Sequence, residues 1–159
     1  MNIYQMLIDK ALNGDGGGGG SLEMETGTAS PSEQLTSFTI NFKRTHSQAP
    51  AMFFLYDDGD TSPSNNGVLS WAFYDFVKLL GGGYPLGSGV KGYGRYVFTR
   101  WTSNAENVGG GSFTYPSTNQ GDSTASYPRF FAKESSMKVY TSGYYFRATR
   151  SYKWIAIWI

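Results

Sequence analysis

At 159 residues the chain is one domain long, with room for a single buried core and a short appendage. Aromatic residues make up 17% of it and charged residues only 16%, so rings that find no core must meet a partner, and a binding surface or an oligomer interface is expected. A net charge of +1 with scattered Lys and Arg argues against nucleic acid as a ligand. The lack of cysteine excludes disulfides, thiolate metal sites and a cysteine nucleophile. No apolar run reaches the ~20 residues that membrane insertion as a helix would need.

Residues 3–12 place Ile3, Met6, Leu7, Lys10 and Ala11 at helical spacing, which predicts a short amphipathic helix. Asp9 falls where a signal peptide would need a longer apolar core, so synthesis in the cytoplasm without a signal peptide is expected. Gly14-Asp15 and the run from Gly16 to Ser21 read as a flexible tether. Residues 1–21 are therefore expected to be a helix and a Gly-rich linker, and residues 22–159 one folded domain.

Beyond the tether the period becomes two: Phe38, Ile40 and Phe42 share one face, and Thr39, Asn41 and Lys43 the other. Similar runs at 51–56, 69–80, 93–101, 129–133, 137–141, 144–147 and 152–159 are separated by Gly-, Pro-, Ser- and Asn-rich segments. Ser142-Gly143 sits where a two-residue hairpin turn would join two of them, and Asn66-Gly67 offers the positive φ that a tight turn needs. The pattern predicts an all-β, antiparallel β-sandwich. Runs 51–56, 69–80 and 152–159 are apolar on both faces, which calls for a second cover: another subunit, or loops and the amino-terminal helix folded over the sheet.

Segments 81–92, 102–112 and 115–127 read as long loops, the usual place for recognition. Around them Tyr84, Tyr93, Trp101 and Tyr115 interleave with Arg95, Asn104 and Asn107. Rings offer a surface to the C–H face of a sugar, and amide and guanidinium groups bond its hydroxyls, so this set is the predicted ligand site. It equally suits a protein contact. Gly81–Gly83 and Gly109–Gly111 lack the Lys-Ser/Thr and helix of a phosphate-binding loop and read as loop glycines. Asp57, Asp58 and Asp60 are weak metal candidates: position twelve counted from Asp57 is Val68, so the bidentate glutamate of a calcium loop is missing, and a strand-ending turn is expected instead. His46 is read as a loop histidine without a catalytic role. No paired carboxylates or activated nucleophile stand out, so neither enzyme activity nor a cofactor is expected.

The segment Phe38-Thr39-Ile40-Asn41-Phe42, leading to Pro50 and the apolar 51–54, together with the closing Trp154-Ile155-Ala156, resembles the H-type lectin-like sandwich. In that family an F-x-I-x-F strand precedes a proline, and the domain ends on W-x-A. The resemblance covers the two ends of 22–159 and leaves the middle unmatched. Similar domains form receptor-facing heads of bacteriophage tail fibres, commonly as trimers. The resemblance thus implies a homotrimer associated with a phage or prophage virion, binding host-surface glycan or docking to other tail proteins. It carries over no sugar-contacting residue. The alternative is a structural or decoration protein that contacts only virion components.

Overall fold

Alternation of inward and outward side chains builds nine strands and one helical turn among the described residues. The computed structural model describes residues 22–58, 66–79, 90–102, 105–116, 130–141 and 143–159, so the predicted amino-terminal helix and glycine tether lie outside them. The elements are β1 (Glu23–Ala29), β2 (Ser37–Asn41), β3 (Met52–Asp57), β4 (Val68–Asp75), α1 (Phe76–Leu79), β5 (Val90–Thr102), β6 (Ala105–Pro116), β7 (Phe130–Ala132), β8 (Ser136–Tyr140) and β9 (Tyr152–Trp158). They form a six-stranded sheet in the order β1-β9-β3-β4-β5-β6 and a three-stranded sheet in the order β2-β8-β7, with antiparallel pairing throughout. The all-β sandwich expected from the sequence is present.

The two sheets meet through one core. The small sheet contributes Phe38, Ile40, Met137, Val139, Phe130 and Ala132; the large sheet contributes Phe53, Leu55, Trp71, Phe73 and the whole inner row of β9, Tyr152, Trp154, Ala156 and Trp158. Rings cross the interface: Phe73 stacks on Phe130 at 4.9 Å, and Phe38 meets Tyr152 edge-on at 5.8 Å. Each such side chain contributes about 1.5–3 kcal/mol on burial. This layer therefore dominates stability.

Several local expectations need correction. β1 was not anticipated, because its alternation is inverted: Met24 faces outward while Glu25 is buried. The expected loop 102–112 is largely β6, which pairs residue by residue with β5. Gly109–Gly111 serve that pairing. A Cβ on Gly109 would lie 2.7 Å from the Phe98 ring, and one on Gly110 2.4 Å from the Tyr96 carbonyl, so glycine lets the hairpin close over bulky neighbours. The expected loops 81–92 and 115–127 likewise lose their ends to β5 and β6; the remainder lies outside the described residues. Run 69–80 is strand only to Asp75, whose Oδ1 accepts the Val77 N–H and starts α1. The expected strand 144–147 reduces to single bridges, Tyr145 to Gly67 and Phe146 to Leu35. Gly143 does adopt a positive φ of 81°, yet the chain beyond it leaves β8, so the expected hairpin does not form. Asn66 adopts its expected positive φ.

The outer face of the large sheet receives a partial cover. Leu79 of α1 closes over Ala51 and Met52, with Phe54, Tyr74, Ile157 and Ile159 half-buried around them. Lys78 anchors the turn by donating to the carbonyls of Ala49 and Pro50 at 2.6 and 3.4 Å, and burial pulls its pKa from 10.5 down to about 8. Farther along the face Met24, Tyr56, Val97 and Val108 remain exposed.

Tyr152 ties the core to the chain beyond β8: its hydroxyl accepts the Arg147 N–H at 3.1 Å and donates to the Val68 carbonyl at 3.4 Å. Burial raises its pKa from 10.0 to about 12. The folded state then holds this proton more tightly than the unfolded chain does, so stability falls as pH rises through that interval. Urea denaturation from pH 9.5 to 12 should show a steeper loss for the parent chain than for Tyr152→Phe; parallel curves would refute the assignment.

Candidate functional site

On the outer face of the small sheet, strand alternation sets up a groove. In β8, Met137 and Val139 point into the core, which turns Ser136, Lys138 and Tyr140 outward; in β7, Phe130 and Ala132 point inward and Phe131 outward; in β2, Thr39 lies between the inward Phe38 and Ile40. The register places Lys138 opposite Thr39 on one side and Phe131 on the other. Lys133 completes the lining from the β7–β8 turn, which its own N–H closes by donating to the Ser136 carbonyl at 2.9 Å. The groove has a volume of about 290 Å³ and is lined by Thr39, Phe131, Lys133, Ser136, Lys138 and Tyr140. That lies near the lower end of the roughly 300–1,000 Å³ usual for small-ligand sites.

The aromatic members have fixed orientations. Phe131 and Tyr140 meet edge to face, centroids 5.7 Å apart at 70°, and the Lys138 ammonium sits 5.2 Å from the Tyr140 centroid. The opposite faces of these strands are locked into the core, so the groove stands on a rigid support.

The residues singled out from sequence are distributed differently. Arg95, Trp101, Tyr93, Asn107 and Tyr115 all fall on the β5–β6 hairpin, and Tyr84 and Asn104 lie outside the described residues. Arg95 pairs with Tyr74 and Ser112, whereas Trp101 pairs with Glu106, six residues or roughly 20 Å farther along the strand. No single small pocket brings those two together. Their neighbours Tyr96 and Arg100 turn to the core side, Tyr96 stacking on Trp71 and Arg100 lying 4.2 Å over the Tyr144 ring. The outward residues of the small sheet were missed because each strand alone shows only an ordinary wet face. The usable signal was the close spacing of runs 129–133 and 137–141, which forces a hairpin.

The acidic turn is engaged by cations: Arg150 Nε lies 3.4 Å from Asp57, and Lys153 Nζ 2.9 Å from Asp58. Asp60 lies outside the described residues, among which no cluster of His, Cys, Asp or Glu suits a metal ion.

A second polar constellation braces the fold beside β1. His46 is buried and stacks on Trp158 at 3.6 Å; its Nδ1 faces Glu23 at 3.0 Å and its Nε2 faces Glu25 at 2.8 Å. Arg44 pairs with both carboxylates, and the Lys43 N–H donates to Glu25. Each ring nitrogen thus lies within hydrogen-bond range of a carboxylate oxygen. Two inward charges on an edge strand are thus neutralised by a loop some twenty residues away.

No family model, curated protein or solved structure matches this chain.

His46→Ala should cost about 3 kcal/mol in urea denaturation, since it removes the ring stacked on Trp158 and leaves the buried Glu25 carboxylate with only Arg44 and the Lys43 N–H. Adding Glu25→Gln should recover part of that loss. Additive losses would show that the two side chains act independently.

Proposed function

We propose that the chain is a surface-recognition module that binds carbohydrate, and that the groove over β7 and β8 is where it does so. The observation that carries this reading is the combination there of two aromatic rings, three hydroxyls and two ammonium groups on a supported sheet face. Rings accept the C–H face of a sugar, while hydroxyl and ammonium groups bond its oxygens. A groove of this size suits a terminal sugar better than a protein surface.

The setting belongs to the same proposal: a receptor-facing part of a phage or prophage tail, present as a homotrimer, as the H-type lectin-like resemblance implies. Its support is that both segments carrying the resemblance, Phe38 to Phe42 and Trp154 to Ala156, meet in the core from opposing sheets. A second reading, a structural or decoration protein contacting only virion components, is favoured by the outer face of the large sheet. There Met24, Ile157, Ile155, Phe54 and Val97 form an apolar field that α1 covers only in part.

A glycan array separates the two. The recognition reading predicts a defined glycan signal that falls by about tenfold or more in Tyr140→Ala and Phe131→Ala, with melting temperatures near the parent value because both side chains face outward. An intact oligomer with no glycan signal would instead establish the structural reading.

A further inference from the structure

Resting on the reading of the small-sheet groove as a carbohydrate site, we infer that its ligand is an acidic saccharide, a sugar bearing a carboxylate or sulfate group. The groove is rich in donors, and its lining has no carboxylate. Lys138 and Lys133 each offer three N–H bonds and no lone pair, and Thr39, Ser136 and Tyr140 add hydroxyls that donate and accept. A neutral sugar, whose hydroxyls donate as well as accept, finds its acceptors here in the three hydroxyl oxygens and leaves both ammonium groups without a charged partner. An anionic sugar presents the complementary array of acceptors, and charge-assisted hydrogen bonds are the stronger kind.

Charge placement points the same way. Four other cations of the fold are engaged: Arg44 with Glu23 and Glu25, Arg150 with Asp57, Lys153 with Asp58, and Lys78 with two carbonyls. Lys133 and Lys138 have no carboxylate within ion-pair range among the described residues, although they open onto the same groove. The chain as a whole carries only +1, so this is a local concentration of positive charge and not a general cationic surface. Lys138 stands on the central strand between Thr39 and Phe131 with its ammonium near the Tyr140 ring. It is placed to meet the acidic group while Phe131 and Tyr140 take the C–H face of the same sugar.

The test is an array in which each acidic glycan sits beside its carboxyl-reduced or desulfated counterpart, with a DNA oligonucleotide as a further polyanion. It is read with the full chain at low and high salt. The acidic members should bind about tenfold or more tighter than their neutral partners, and less tightly at high salt. Lys138→Gln should erase the acidic preference, Lys133→Gln should reduce it, and Lys138→Arg should retain most of it. Neutral and acidic members bound equally, with both signals lost in Tyr140→Ala, would overturn the ligand class while leaving the carbohydrate site standing. DNA bound as tightly as the acidic glycans would replace the saccharide with a general polyanion patch. No glycan signal of either kind would overturn this inference and the carbohydrate reading together.

Discussion

The structure depends on the burial of one side of the last strand. β9 lies between β1 and β3, and its inward residues Tyr152, Trp154, Ala156 and Trp158 reach across to the small sheet. Trp158 is the most heavily engaged: Phe42 meets its ring at 5.0 Å, His46 stacks on its face, and its Nε1 donates to the Gln48 carbonyl at 2.9 Å. One indole thereby fixes the chain between β2 and β3, and through His46 the inward carboxylates of β1. Trp154 imposes a second condition on the same edge strand. A Cβ on Gly27 would lie 2.5 Å from its ring, so β1 can pair there only with glycine opposite the indole.

This constraint also accounts for the groove. A three-stranded sheet is a weak element alone, and here Phe38, Ile40, Phe130, Met137 and Val139 pin it against the large sheet. Its outer face is then held at fixed register, with a lysine flanked by a hydroxyl and a ring across three adjacent strands. The large sheet differs: its outer face is apolar, and α1 covers only the part near Met52. The two outer faces have opposite chemistry. A polar, ring-lined groove suits a small ligand, and an apolar field suits a neighbouring subunit.

The architecture was legible in the sequence where inward and outward residues alternate locally. The alternation of β2 is plain from Ser37 to Asn41, and that of β9 survives an apolar outer face because its inner row is almost wholly aromatic. β1 was illegible because its buried position is a glutamate, tolerable only next to a histidine and an arginine far along the chain. β6 was illegible because three glycines resemble a loop, although their small size answers to Phe98 and Tyr96 on the opposite strand. The groove escaped notice for a related reason. Thr39, the pair Phe131 and Lys133, and Lys138 come from three separate segments, and only strand pairing gathers them. The aromatic and amide residues proposed instead were grouped by sequence proximity, which a long hairpin spreads along its length.

The central functional claim is that recognition belongs to the outer face of the small sheet and not to the β5–β6 hairpin. Hydrogen exchange with and without a saturating acidic oligosaccharide chosen from the array tests it most directly. Added protection in peptides spanning 130–140, with 90–116 unchanged, is the result the structure leads us to predict. Protection confined to 90–116 would contradict the claim and move the site to the hairpin.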